Sequence, residues 1–348
     1  MKSIKLLLNQ KWVKDFFSQK VPRYFPGNQL IDCRIKPLKV YLDYKSVVVK
    51  YNLEVSDEKN NISEKEVIGK AERINDRFLK SKKENGILVD YSITNFLYER
   101  GLSNILAKPF DYIPSLNLYI NEFITGYFLQ ELSMKHKDRE FLEKIPAIVD
   151  SLKKVHKIKV QKKDRIIVKN KKQEEKEWQK GLKLVRQYYP SAIDEVTLWV
   201  KKCRTLRNRN KKYFNVDSYK MTHGDFYSRN ILINDGRIKL IDFSSSSLHD
   251  PLNDVGNFLI NTELMFEYDF HDSYRQLMEN LKDIFLKNYF SKPATEEQEF
   301  KINYFILTNL IRIIAFAAMS EGNKKIPSQS IVVMDKLMKI GEEKYNNL

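Results

Sequence analysis

One stretch of 21 residues, His223 to Phe243 (HGDFYSRNILINDGRIKLIDF), constrains this chain more than any other. Asn230 to Ile233 and Arg237 to Ile241 are apolar-rich runs on either side of Asn234-Asp235-Gly236, a turn sequence that favours a two-stranded hairpin. Asp225 and Asn230 stand five positions apart across a loop; Asn230 opens the first strand and Asp242 closes the second. A tight hairpin brings its ends together, so the spacing predicts Asn230 and Asp242 close to each other, with Asp225 one loop-turn away. Two carboxylates and an amide oxygen form a hard-oxygen set. It suits Mg²⁺, which uses one or two carboxylates and fills its other positions with water and nucleotide phosphates. Taken singly, Asp225 and Asp242 read better as turn residues and His223 as a core histidine. The full spacing in its hairpin context is what points to chemistry.

The flanking sequence predicts an unequal pair of lobes. At 348 residues the chain is long enough for two domains or one bilobed unit. Leu6-Leu7-Leu8, Trp12, Val13, Phe16 and Phe17, with Lys5, Lys11 and Lys14 between them, predict an amphipathic helix that packs on the first lobe rather than on a membrane surface. Strands are expected at Ile35–Leu42, Ser46–Val55 and Glu66–Ile74, with a helix between Ile87 and Tyr98. A further strand runs through Leu116–Ile124 and stops at Thr125-Gly126. From Phe128 to about Trp199 the apolar spacing is helical, and helices return after the hairpin, with apolar runs at Phe305–Leu310 and Ile311–Ala318. A strand-rich front and a helical back place a ligand cleft between the lobes.

With these residues in view, the sequence resembles the aminoglycoside phosphotransferase and choline kinase branch of the protein-kinase-like superfamily. His223-Gly224-Asp225, Asn230 and Leu240-Ile241-Asp242-Phe243 fit that branch position by position. Protein kinases carry Arg where Gly224 stands and Gly where Ser244 stands. The resemblance implies an α+β bilobal fold: a small antiparallel-sheet N-terminal lobe (1–121), a hinge (122–126) and a larger, mainly helical C-terminal lobe (127–348) holding a basic insertion (151–220) and the catalytic loop (223–243). It implies ATP or GTP as phosphoryl donor, Asp225 as the catalytic base with His223 holding the loop, and Asn230 and Asp242 as Mg²⁺ ligands. Asp254 would brace the loop, a helix N-cap being its alternative. The backbone of Glu122, Phe123 and Ile124 would bind the adenine ring. Lys70 would reach the α- and β-phosphates, with Lys50 as competitor; its acidic partner is Asp90 or Glu84. The turn Asp43-Tyr44-Lys45 has no glycine, so the Gly-rich phosphate loop of protein kinases is missing.

Composition refines the acceptor. Residues 151–220 hold 22 Lys or Arg against 7 Asp or Glu, whereas the rest of the chain is nearly balanced; almost the whole net charge of +16 lies in this insertion. Kinases of polycationic aminoglycosides line this region with carboxylates. Here the sign is opposite, although Glu263, Glu267, Asp269 and Asp272 follow the loop. The expected acceptor is therefore a small hydroxylated molecule, neutral or anionic. The alternatives are an anionic lipid, glycolipid or other large acceptor, and a pseudokinase acting as a binding module. A nucleic-acid partner is disfavoured, because the basic segment has no RNA-motif aromatics. Two distant cysteines, Cys33 and Cys203, and no run of about 18 apolar residues suggest a cytoplasmic protein. Oligomeric state is not legible.

Overall fold

The computed structural model describes residues 2–40, 46–72, 85–268, 274–322, 329–346 and 348. The turn at Asp43–Lys45, the end of the third expected strand, Glu84, Asp269 and Asp272 lie outside the described residues. The chain forms two compact units: residues 1–126 with 239–245, and residues 127–238 with 246–348.

The N-terminal unit begins with two helices, α1 (Lys2–Leu6) and α2 (Gln10–Tyr24). Asn9 separates them and caps α2 by accepting from the Trp12 amide at 2.9 Å. Five antiparallel strands follow: β1 (Asn28–Val40), β2 (Ser46–Asp57), β3 (Ile62–Glu72), β4 (Pro109–Ile113) and β5 (Leu118–Glu122), in the order β1-β2-β3-β5-β4. In β2 every second residue, Val47, Val49, Tyr51, Leu53 and Val55, is buried, as a period of two demands of a half-buried strand. These side chains pack against Ile4, Leu7, Val13, Phe17 and Val21, so the amphipathic N-terminal segment covers the sheet, as its pattern implies. Helix α3 (Gly86–Leu97) lies between β3 and β4 in sequence. Strand β1 is longer than expected because it is an edge strand with solvent around it; its polar residues, and Pro37 at a register shift, suit an edge.

The C-terminal unit contains β6 (Tyr127–Phe128), α4 (Leu129–Met134), α5 (Asp138–His156), α6 (Lys171–Tyr188), α7 (Ile193–Arg209), β7 (Lys220–Thr222), β8 (Ile231–Asn234), the start of β9 (Arg237–Leu240), β10 (Ser247–His249), α8 (Leu252–Tyr268), α9 (Tyr274–Tyr289), α10 (Glu296–Gly322) and α11 (Gln329–Asn346). Strands β8 and β9 make the expected hairpin: Asp235 and Gly236 both have positive φ, 45° and 74°, the requirement of a type I′ turn. The basic insertion is ordered helix, with Trp178, Val185, Trp199 and Val200 buried and its lysines largely outward. Helix α10 is the core helix of the unit. It is long and apolar enough to cross a membrane by composition (mean hydropathy 1.6 over an 18-residue window within Glu296–Met319), but 61% of that window is buried within the protein. Gly256 lets α8 approach it: a Cβ there would lie 2.8 Å from the Phe305 Cβ and 2.9 Å from the Ile306 amide nitrogen.

Candidate active site

In the N-terminal unit the chemistry centres on Lys70. It sits on β3, opposite Val48 of β2 and Tyr119 of β5. Its Nζ is 3.0 Å from Asp90 Oδ2 and 2.8 Å from Asp242 Oδ1. Burial alone would discharge this amine. The two carboxylates overcome that and push its pKa well above the usual lysine value, so it stays an ammonium. Asp90 projects from α3 and is buried; its Oδ1 accepts from the Phe243 amide at 2.8 Å, which ties the segment after Asp242 to the helix. Asp242 itself adopts φ of 65°, the left-handed region that few non-glycine residues enter. Of the two candidate partners for Lys70, Asp90 is bonded to it, and Glu84 lies outside the described residues. Lys50 is elsewhere: its ammonium pairs with Glu66 and lies 4.0 Å from the centre of the Phe123 ring.

Residues 239–245 group with this unit, although the expected boundary put them in the C-terminal lobe. The reason is local bonding. Leu240 N donates to Ile105 O at 2.8 Å, Lys239 Nζ to Leu106 O at 2.9 Å, and Phe243 N to Asp90. In the expected hinge, the Glu122 amide donates to Lys108 O (2.9 Å) and the Phe123 amide to Glu66 O (3.2 Å).

In the C-terminal unit, β7 pairs antiparallel with β10 and delivers the chain into the loop at His223. Gly224 turns it with φ of 81°, a conformation only glycine takes at no steric cost. Asp254 holds the turn. It is fully buried, and its carboxylate accepts from the His223 amide (2.7 Å), the Gly224 amide (2.8 Å) and His156 Nε2 (3.0 Å). Burial would raise its pKa, but the hydrogen bond and charge of His156 hold it below the ordinary aspartate value. Asp254 lies in the first turn of α8, after Leu252 and Asn253, and so is not its N-cap; Asp250 instead accepts from the Leu252 amide at 3.0 Å. The His223 ring is fully buried, with its centre 5.8 Å from that of Phe226. Its carbonyl accepts from Ser246 Oγ, so it supports the loop.

Beyond the turn, Asn230 Nδ2 donates to the Asp225 carbonyl at 2.8 Å and lies 3.4 Å from its Oδ2. The nitrogen end of the amide is therefore committed to the loop, and its oxygen end is the one suited to a cation. Among the described residues there is no cluster of three or more His, Cys, Asp or Glu fit for a metal.

Sequence reasoning missed three residues. Arg312, on α10, places Nη2 3.0 Å from Asp225 Oδ1 and 2.9 Å from Asn257 Oδ1. His156, at the end of α5, joins Asp254 to the Tyr289 hydroxyl (2.8 Å). Glu72, two residues after Lys70, has a carboxyl that burial pushes up. A histidine closing the run Leu152, Val155, His156 was the one available signal for a buried polar partner.

This architecture recurs in solved structures. An amicoumacin kinase in complex with AMP-PNP, Ca²⁺ and its antibiotic aligns over 99% of this chain and 96% of its own, at TM-score 0.63 and 18% identity. An ethanolamine kinase from Plasmodium vivax aligns over 97% and 91% (0.61, 16%), and the choline kinase LicA from Streptococcus pneumoniae over 97% and 99% (0.56, 15%). The fold is thus the α+β, bilobal, protein-kinase-like one. The family follows from the sequence itself: the choline/ethanolamine kinase model matches residues 73–321, and the chain belongs to that family of small-molecule kinases. No curated protein matches it.

Proposed function

We propose that this kinase transfers the γ-phosphate of ATP or GTP to a hydroxyl of a small, neutral or anionic acceptor. Asp225 orients that hydroxyl and accepts its proton as the new P–O bond forms. Lys70, kept charged by Asp90 and Asp242, holds the triphosphate. Asn230 and Asp242 hold Mg²⁺, which when bound neutralises charge on the phosphates. Because the amides of Glu122 and Phe123 are bonded to Lys108 and Glu66, purine recognition falls to the Ile124 amide and to the carbonyls of the segment. His223 and Asp254 position the loop and take no proton from substrate. Catalysis of this kind is positioning and charge neutralisation, with no covalent enzyme intermediate.

The observation that carries the reading is the Asp254 carboxylate spanning the His223 and Gly224 amides, which fixes the loop from which Asp225 projects. An intact Lys70–Asp90 pair argues against a pseudokinase. The test is Asp225→Asn. Turnover is expected to fall at least ~100-fold with nucleotide affinity nearly unchanged; a variant that turns over like the wild type would remove Asp225 from the chemistry.

A further inference from the structure

A cavity of about 390 Å³ in the C-terminal unit lies between α6 of the basic insertion and α10. Its lining is mainly apolar, including Trp178, Leu184, Ile311 and Phe316, the last 65% exposed at the rim. Arg312 also lines it, and the same side chain reaches Asp225, Asn257 and, at 3.4 Å, the Gly224 carbonyl. The arginine therefore joins this cavity to the loop that carries the proposed base.

The described carboxylates that line it are already paired. Two carboxylates line the cavity. Glu174 is bonded to His249 Nε2 (2.8 Å) and to Arg207 (2.6 Å), and Glu177 to Lys169 (2.8 Å). Asp225 is bonded to Arg312 (3.0 Å). Among the described residues a cationic acceptor would find no uncommitted carboxylate lining this cavity, and its ammonium would sit beside a guanidinium. Arg312 is itself bonded to Asp225 and Asn257, but a guanidinium has five N–H donors, so an anion next to the hydroxyl could join Asp225 on the same planar group, one suited to carboxylate and phosphate.

We infer that Arg312 is a specificity-determining residue, and that the acceptor is an amphipathic molecule: an apolar body in the α6–α10 cavity and a hydroxyl flanked by a carboxylate or phosphate at Arg312. This rests on the proposed role of Asp225 at the acceptor hydroxyl. It departs from choline, ethanolamine and aminoglycosides, all cations.

Four eight-carbon probes differing in charge beside the hydroxyl test it: N-octanoylserine (carboxylate), 1-octanoylglycerol 3-phosphate (phosphate), N-octanoylethanolamine (neutral) and N-octylethanolamine (cationic). Each is measured by thermal shift and by stimulation of nucleotide turnover. At least one anionic probe should stabilise the wild type and exceed the cationic probe in kcat/KM about ten- to a hundred-fold, the worth of one charge-assisted hydrogen bond. The better of the two identifies the anion. Arg312→Gln should erase that ratio and Arg312→Lys recover most of it, whereas an arginine that only held the loop would slow all four probes alike. No thermal shift from either anionic probe, or a cationic probe that equals them, overturns the inference. Failure of the kinase reading shows separately, as nucleotide turnover that Asp225→Asn leaves unchanged.

Discussion

Replacing Asp254 tests the loop most directly. Its carboxylate satisfies three donors: the buried His223 amide and half-buried Gly224 amide, which cannot turn away, and buried His156 Nε2. A buried donor left without a partner costs about 1–3 kcal/mol, and His156 keeps Tyr289 when Asp254 is gone. Asp254→Ala should therefore cost roughly 3–5 kcal/mol, the range for breaking a buried charged pair, out of a typical total of about 5–15. Asp254→Asn retains one acceptor oxygen but turns an N–H toward the other donors, and should cost about half as much. The pH dependence has a definite sign. The folded-state pKa of Asp254 is depressed, so its contribution is complete above the unfolded value of about 4 and fades as pH falls through the folded value. Wild type should lose stability on acidification more steeply than Asp254→Ala. Urea unfolding followed by tryptophan fluorescence reads this, because Trp178 and Trp199 are buried in the C-terminal unit. A loss under about 1 kcal/mol, or parallel pH profiles, would refute the argument.

Three further substitutions separate function from packing. Lys70→Met should abolish nucleotide stabilisation and cost about 3–5 kcal/mol by stranding buried Asp90, whereas Lys50→Met loses one pair and one ring contact, about 1 kcal/mol; paired thermal-shift titrations with Mg-ATP compare them. Gly341→Ala should destabilise despite a helix-propensity gain of about 1 kcal/mol. The new Cβ would collide with the buried Trp199 ring, with Cζ2 at 2.8 Å and two ring atoms closer still, and overpacking costs about 1–3 kcal/mol or more; calorimetry should give a lower Tm and fluorescence a changed Trp199 environment.

What the sequence reveals follows the distance over which each feature is encoded. The hairpin is written in three consecutive turn residues, and Asp225 and Asn230 are bonded across five positions, so both are legible locally. The alternation of β2 and the amphipathic start are legible because one face is buried. Strand β4 has only five residues and begins with proline, so no period could emerge, and it was missed. Arg312 stands 87 positions from Asp225, inside a run whose apolar residues announce a core helix and nothing more. The Lys70–Asp90 pair depends on how β3 and α3 face each other, which no spacing within either element records.

The proposed nucleotide site needs charges at fixed separations, and Lys70 with Asp90 and Asp242, brought together from positions far apart in sequence, forms a constellation that is self-neutralising apart from one unit of negative charge. Acceptor choice needs only a surface whose charge and shape can change without disturbing that constellation. The basic insertion supplies α6 as one wall of the cavity, and α10 supplies the other, with Arg312 meeting the loop from outside the motif. On the proposed reading the net charge of +16 bears on the acceptor side rather than on catalysis: the insertion holds 22 cations against 7 carboxylates, and the described carboxylates of the cavity wall are already paired. A relative that phosphorylates a cation would need the opposite: carboxylates free of partners, or aromatic faces in place of a guanidinium, because a buried ammonium without a counter-charge costs several kcal/mol.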